Sequence, residues 1–274
     1  MICIPYLDIH VTHDCNFQCK GCAHFSQHKF RGTHIPLDTM ESWYKDWYQR
    51  IEPGDFGLLG GEPFLHPNLP EICHLTRKYF PNSRIELVTN ASLIHLHPNL
   101  WEDLIETDIR LGVSVHSNNE KYRKVMIPKL KIAREWKHKG ATVHFFDFAI
   151  SKWENYSKWQ KIYKGEGENI MPFEDNDPES SWNNCPTEKI CFQFHENAMW
   201  KCAPLAFLPL MKEKYPNISE KWDPYLKYKP LTAVCTDEEI VEFFFRGCES
   251  VCSMCPSKHI YVKDTKDPLR NEIK

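Results

Sequence analysis

Residues 7–22, LDIHVTHDCNFQCKGC, join a short strand pattern to three closely spaced cysteines. Leu7–Val11 alternates apolar and polar residues, which is typical of a half-buried strand. Cys15, Cys19 and Cys22 follow it in a C-x3-C-x2-C spacing. Thiolates are natural ligands of iron–sulfur clusters, and three of them can bind three irons of a four-iron cube and leave the fourth iron open. The stretch therefore predicts a cluster-binding loop directly after the first strand.

Downstream of this loop, short apolar runs alternate with helical patterns. The further strands are predicted at Phe56–Leu59, Ile85–Thr89, Ile109–Val115 and Thr142–Phe146, and the helices at 38–51, 69–79 and 120–139. Such alternation is typical of a parallel sheet with right-handed crossovers. Ligands of these sheets bind beyond the carboxyl ends of the strands, and the cysteine triplet falls at that edge.

The composition is that of a globular protein. The chain has 274 residues, 42% of them apolar and 26% charged, with a net charge of −3. This balance argues against a nucleic-acid-binding arm and a polybasic membrane anchor. The sequence has no apolar run of about 20 residues that would span a membrane. Its N-terminus lacks the features of a signal peptide. We therefore expect a cytoplasmic protein with neither nucleic acid nor membrane as a partner.

Twelve cysteines are many for a cytoplasmic protein, in which disulfides rarely persist. They form two groups with a long gap between them: Cys3, Cys15, Cys19, Cys22 and Cys73, then Cys185, Cys191, Cys202, Cys235, Cys248, Cys252 and Cys255. Secreted disulfide scaffolds are generally far smaller, because disulfides compensate for a small core. The pattern favours metal ligation.

Three more motifs follow successive predicted strands. They are Gly60-Gly61-Glu62-Pro63, Thr89-Asn90-Ala91 and Ser114-Val115-His116-Ser117. Together with the cysteine triplet, they resemble the radical S-adenosylmethionine (radical SAM) superfamily over roughly residues 5–150. The resemblance implies an α/β fold, a partial (β/α)6 TIM-like barrel, over residues 1–165 or to about 180.

The resemblance also implies a cofactor site. A 4Fe–4S cluster on Cys15, Cys19 and Cys22 would bind S-adenosylmethionine and cleave it to a 5′-deoxyadenosyl radical. The cofactor-binding residues implied are Gly60, Gly61, Glu62, Pro63, Asn90 and Ser114, the first four receiving the amino group of the methionine part. The chain departs from the family at Gly21, where an aromatic residue usually contacts adenine, and His24 or Phe25 is the expected substitute.

The C-terminal cysteines resemble a SPASM/Twitch extension, which binds auxiliary 4Fe–4S clusters. Cys185, Asn197 and Cys202 fit its leading half, although asparagine replaces a glycine, and a single C-x2-C pair follows. We expect one auxiliary cluster in a small domain over 183–260, with a tail at 261–274. The predicted ligands are Cys202, Cys252 and Cys255, with Cys191 or Cys185 as the fourth. A zinc ribbon is the alternative.

Short sequence patterns predict further elements in the C-terminal part of the chain. Gly165–Trp182 reads as a linker or an active-site loop. Glu196-Asn197 predicts a hairpin turn that places Cys191 opposite Cys202. Thr236 and Glu239 form a capping-box pattern for a helix through Phe245.

The resemblance suggests several reactions. Short radical SAM–Twitch enzymes include dehydrogenases and epimerases of sugar-like or aminocyclitol-like molecules, whereas other members epimerise or cross-link ribosomal peptides. Peptide-modifying relatives often carry an N-terminal peptide-recognition domain, but the first core strand here begins near residue 6. We therefore expect a small polar substrate. The expected reductant is a protein such as flavodoxin or ferredoxin. Cys248 is a candidate hydrogen donor, a spare ligand or a structural cysteine. Candidates for a sugar site are Asp147, Trp153, Trp182, Glu196 and Trp200. A non-enzymatic zinc-binding module is the alternative of another class.

Overall fold

A computed structural model describes residues 1–30, 32–117, 119–146, 160–175, 177–185, 191–262 and 269. Its strands are β1 Ile2–Thr12, β2 Ile51–Gly60, β3 Arg84–Thr89, β4 Arg110–Ser114, β5 Val143–Phe146, β6 Gln193–His195, β7 Ala198–Trp200 and β8 Leu231–Thr232. The helices are α1 Leu37–Trp47, α2 Leu69–Tyr79, α3 Leu100–Glu106, α4 Glu120–His138, α5 Pro178–Asn183, α6 Ala203–Lys214, α7 Asp223–Leu226 and α8 Asp237–Phe245. In these residues, the strands form one sheet in the order β5-β4-β3-β2-β1-β6-β7-β8.

The first five strands confirm the predicted parallel α/β sheet. Each pairs in parallel with its neighbour in the chain. Leu7, Ile9 and Val11 of β1 are fully buried and belong to the main hydrophobic core. The residues between them, Asp8 and His10, point to the opposite face because side chains alternate along a strand. The sheet therefore has an apolar face in the main core and a second face that carries polar side chains.

The sixth parallel strand lies beside β1 instead of beside β5. Asp8 pairs with Gln193 and Ile9 with Phe194. The Phe194 ring contacts Tyr44 of α1, and the Gln193 amide donates to Asp8 Oδ2 at 3.0 Å. These contacts place β6 at the β1 edge of the sheet. In a sheet built from six consecutive βα units, the sixth strand would instead lie beside β5.

The predicted hairpin is confirmed, but the predicted pairing of two cysteines across it is not. Glu196 and Asn197 have φ values of 51° and 57°, the left-handed conformation of a two-residue turn between β6 and β7. The ladder begins at Gln193 and Trp200, which pair with each other. It therefore ends before Cys191 and Cys202.

Two of the features predicted for helices are confirmed, and two other helices were not predicted. Helix α4 continues through Pro128, and α8 begins with the predicted capping box between Thr236 and Glu239. The segment Gly165–Trp182 contains most of helix α5, and the sequence reading missed α6. Among the described helices, none has the length and apolarity needed to cross a membrane.

The chain forms two hydrophobic cores. The main core packs β1–β5 against α1–α4 and also includes residues of α8. The second core surrounds α6 and contains Phe207, Trp222 and Met254. Phe25, three residues after the last cysteine of the triplet, is fully buried in this second core. The second core therefore joins the cysteine loop to the C-terminal helices.

Candidate active site

The predicted cysteine triplet lies at one cavity beyond the carboxyl ends of β1–β4. Cys15, Cys19 and Cys22 line it together with other residues that the sequence singled out: Gly60, Gly61, Asn90, Ser114 and His116. The empty space of this cavity, called here the first cavity, is about 650 Å³. Three thiols on one wall, with glycine backbone and polar strand ends opposite, are a donor set that fits an iron–sulfur cluster and a polar ligand.

The two glycines bring the end of β2 against the cysteine loop. The Gly61 amide donates to the Thr12 carbonyl at 2.9 Å, and the Glu62 amide donates to the Asp14 carbonyl at 2.8 Å. A Cβ on Gly60 would lie 2.3 Å from the Thr12 oxygen, and one on Gly61 would lie 2.0 Å from the Asp14 oxygen. These glycines are therefore required by the packing of backbone on backbone, besides lining the first cavity.

Gly61→Ala is expected to destabilise the protein and to weaken cluster binding, because its Cβ would overlap the backbone that carries Cys15. Overpacking of this kind typically costs about 1–3 kcal/mol. Gly247→Ala is the matched control, since a Cβ there meets nothing within 4 Å. Denaturant unfolding and iron analysis of both variants test this. Equal stability and equal iron content in the two would contradict it.

Glu62 and Pro63 are not among the described residues that line the first cavity, and their cofactor-binding role stays a prediction. Glu62 is completely buried, and its carboxylate accepts hydrogen bonds from the Phe64 amide at 3.1 Å and the Asn90 amide at 2.8 Å. The Thr89 hydroxyl donates to it as well. Burial raises the pKa of Glu62 to about 7, although these donors act in the opposite direction. Glu62 therefore fixes the end of β3 to the segment after β2.

The ends of β3 and β4 supply polar groups to the same cavity. Asn90 is 5% exposed, its amide nitrogen donates to Asn16 Oδ1 at 3.0 Å, and its Oδ1 accepts from the Ser92 amide at 2.9 Å. Beyond β4, His116 Nδ1 lies 3.5 Å from Cys19 Sγ. Burial lowers the pKa of His116 to about 4, so its imidazole is neutral. Asn90 thus ties β3 to the cysteine loop, and His116 ties the segment after β4 to it.

Gly21 cannot readily be replaced by an aromatic residue here. Its φ is +72°, the left-handed region that favours glycine, and a Cβ would lie 3.2 Å from Val262 Cγ2. Of the two expected substitutes, His24 lines the first cavity. Phe25 instead packs on the Tyr163 ring, with centroids 5.0 Å apart. Of the two, His24 is therefore the one that lines the cavity, and its adenine contact stays a prediction.

A group of buried histidines adjoins this site and was missed by the sequence reading. His10 Nε2 lies 2.6 Å from His24 Nδ1, and His10 Nδ1 lies 3.0 Å from His13 Nδ1. Phe207 stacks on His10 with centroids 4.0 Å apart. Burial lowers the pKa of both His13 and His24 to about 4, so these rings are neutral. The only signal in the sequence is that His10 alternates with the apolar residues Ile9 and Val11, which places it on the second face of the sheet.

Four C-terminal cysteines line a second cavity. They are Cys185, Cys202, Cys252 and Cys255, and the other lining residues include Trp182, Lys201, Leu205, Val251 and Met254. Burial and the neighbouring cysteines raise the pKa of Cys202 to about 12. Cys191 does not line this cavity; its carbonyl accepts a hydrogen bond from Gln193 at 3.4 Å. Of the two alternatives for a fourth ligand, the structure thus brings Cys185 to the other three.

The predicted alternative for these four cysteines is a zinc site. Zinc–sulfur bonds of about 2.3 Å in a tetrahedron require sulfur atoms about 3.8 Å apart. Within the part of the chain that the structure describes, no three His, Cys, Asp or Glu side chains are close enough to hold a single ion. Four thiols around a shared void are a donor set that fits a four-iron cube.

The remaining candidates lie away from the first cavity. Cys248 is exposed, and its thiol contacts Cys252. Cys248 does not line the first cavity, and its hydrogen-donor role stays a prediction. Trp182 lines the second cavity, Glu196 lies in the exposed hairpin turn, and Trp200 packs near Tyr228. Asp147 and Trp153 lie outside the described residues.

A family model and two curated relatives match the core of the chain. Residues 9–137 match the model of the Radical SAM superfamily. An S-adenosylmethionine-dependent nucleotide dehydratase of Selenomonas ruminantium is 30% identical over 121 residues, which cover 42% of this chain and 40% of the relative. A GTP 3′,8-cyclase of Microcystis aeruginosa is 31% identical over 118 residues, which cover 42% of this chain and 35% of the relative.

The chain therefore spans two fifths or less of the length of these curated relatives. Among solved structures, BtrN in complex with AdoMet and 2-DOIA is 17% identical, with a TM-score of 0.44. That alignment covers 82% of this chain and 86% of BtrN.

Proposed function

We propose, from the premise that residues 9–137 form a radical SAM domain, that this enzyme uses S-adenosylmethionine to dehydrogenate a small polar substrate such as a sugar or an aminocyclitol. The observation that carries the proposal is the second cavity with its four cysteines, because a cluster bound there would accept an electron from the substrate radical. Two cofactor sites and a polar sheet face support it.

The first cavity is the proposed S-adenosylmethionine site. Cys15, Cys19 and Cys22 would hold a 4Fe–4S cluster, which when bound supplies the electron that cleaves S-adenosylmethionine to the 5′-deoxyadenosyl radical. The backbone at Gly60 and Gly61 and the side chains of Asn90 and Ser114 would orient the methionine and ribose parts of the cofactor. Asn90 is suited to this because three neighbouring groups of the protein hold its side chain in place.

The second cavity is the proposed auxiliary site, with Cys185, Cys202, Cys252 and Cys255 as ligands. A 4Fe–4S cluster bound there supplies an acceptor for one electron. Cys202 and Cys255 pack against the second core, which also contains Phe25 of the cysteine loop, so one apolar core contacts both the cysteine loop and two of the proposed auxiliary ligands. An electron acceptor favours dehydrogenation, in which the substrate radical gives up an electron, over epimerisation, in which it gains a hydrogen atom.

The second face of the sheet, opposite the main core, carries polar side chains as far as the first cavity. On β3 and β4, the buried residues Leu87 and Leu111 alternate with Glu86 and Arg110, which are partly buried. Further along β4, Ser114 reaches the first cavity. At the first cavity, Asn90, Ser114 and His116 can pair with the hydroxyl and amino groups of a small polar molecule.

A nucleotide is the second candidate substrate. Both curated relatives are named for reactions on nucleotides. A nucleotide also carries a sugar ring, so the same polar face would serve it. We place the enzyme in the cytoplasm with a flavodoxin or ferredoxin as its reductant, since a reducing compartment keeps cysteine ligands available for clusters.

Substrate-dependent formation of 5′-deoxyadenosine tests this proposal. Reduced, cluster-loaded protein with S-adenosylmethionine is expected to form 5′-deoxyadenosine faster with sugars, aminocyclitols or nucleotides than with peptides. The accompanying product is expected to have lost two hydrogens, with no deuterium taken up from heavy water. A peptide as the only stimulating substrate would overturn the substrate class. Deuterium at an inverted carbon would establish epimerisation and overturn dehydrogenation.

A further inference from the structure

Lys201 is a buried cation at the wall of the second cavity. It follows β7 and directly precedes Cys202, and only 6% of its side chain is exposed. Its Nζ donates to the Gly247 carbonyl at 2.9 Å and lies 4.4 Å from the centre of the Trp182 ring. A lysine is almost never buried in this way unless it is paired, because removing a charge from water is costly.

The pairing of Lys201 leaves a net positive charge. Its Nζ lies 2.8 Å from Glu249 Oε1, but Arg246 Nε lies 3.0 Å from the same oxygen. One carboxylate therefore faces two cations. The excess positive charge lies beside the cavity whose other walls carry Leu205, Val251 and Met254 and four thiols. In such apolar surroundings water screens the charge weakly.

Four thiolates and a four-iron cube together carry a net negative charge, and reduction by one electron adds to it. A nearby cation stabilises the reduced form more than the oxidised form, and net charge is one of the factors that set cluster potentials. We infer that Lys201 raises the reduction potential of the auxiliary cluster and so makes it a better electron acceptor. The inference rests on the proposed ligand set Cys185, Cys202, Cys252 and Cys255.

The test compares lysine variants in a full-length background with Cys15, Cys19 and Cys22 replaced by alanine, so that only the second cavity can bind a cluster. Lys201→Met removes the charge and keeps the length, and Lys201→Arg keeps the charge. Lys78→Met is the matched control, since Lys78 also pairs with a glutamate, Glu41 at 3.0 Å, and lies over an aromatic ring, but on the surface. Reduction is followed by electron paramagnetic resonance as a function of applied potential.

Lys201→Met is expected to lower the equilibrium constant for reduction at least about tenfold, which is about 59 mV for a one-electron couple. The arginine variant and the control are expected to stay within about twofold of the parent. Iron content is measured in every sample. If Lys201→Met does not retain iron, Lys201→Gln, which keeps a donor for the Gly247 carbonyl, carries the comparison with the same expected shift.

The outcomes separate the two proposals. Four irons bound with an unchanged potential in Lys201→Met or Lys201→Gln would overturn the role of Lys201 and leave the ligand set intact. No iron in the parent background would overturn the ligand set, and the role of Lys201 with it. An equal shift in Lys78→Met would show that the potential does not respond to Lys201 in particular.

Discussion

Cys202→Ala is expected to remove about four irons per chain and to abolish product formation while S-adenosylmethionine cleavage continues. The reason is that Cys202 lines the second cavity with Cys185, Cys252 and Cys255, and none of these four lines the first cavity. Without the electron acceptor, the substrate radical cannot be oxidised. The measurement is iron and sulfide content together with 5′-deoxyadenosine and product in the same reduced sample.

Cys191→Ala is the matched control for this variant. The sequence predicts Cys191 as a ligand, with Cys185 as the alternative, but Cys191 does not line the second cavity. It should therefore keep its iron and its activity, whereas Cys185→Ala should behave like Cys202→Ala. If Cys191→Ala lost iron and Cys185→Ala did not, the assignment of the fourth ligand would be reversed.

Cys19→Ala is expected to lower 5′-deoxyadenosine formation by at least about 100-fold and to remove the iron of the first cavity only. Cys19 is one of three thiols that line this cavity, and its sulfur is also in contact with His116. A cluster with two protein ligands has no stable open iron for the cofactor. The auxiliary iron, about four per chain, should remain.

Cys3→Ala is the control for Cys19→Ala, because Cys3 is an exposed residue of β1 that lines neither cavity. It should leave 5′-deoxyadenosine formation and iron content unchanged. Full cofactor cleavage by Cys19→Ala would show that the triplet does not hold the reactive cluster.

Local signals explain why much of this architecture could be predicted. Five strands and the triplet at their carboxyl edge follow from the alternation of apolar runs with helical patterns. Parallel strands bring their ends to one edge, so residues as distant as Cys15, Gly61 and Asn90 were expected together, and they line one cavity.

The features that sequence reading missed depend on long-range contacts. Strand β6 has three residues, too few for a periodicity, and its place beside β1 depends on Phe194 and Gln193. The choice between Cys185 and Cys191 depends on how α5 packs against the segment that carries Cys252 and Cys255, which no spacing encodes.

Glu62 shows a different limit. Its motif identified the right loop, but the Glu62 carboxylate accepts hydrogen bonds from the amides of Phe64 and Asn90, and Glu62 is not among the residues that line the first cavity. A motif predicts where a segment lies more reliably than which atoms of it face a ligand.

The most direct test of the proposed two-cluster radical SAM enzyme is one anaerobic sample of the reconstituted chain. Its iron and sulfide are counted, and its 5′-deoxyadenosine is measured after reduction with S-adenosylmethionine present. Two sites, one in each cavity, predict about eight irons and eight sulfides per chain together with 5′-deoxyadenosine. About two zinc ions per chain with no 5′-deoxyadenosine would contradict this.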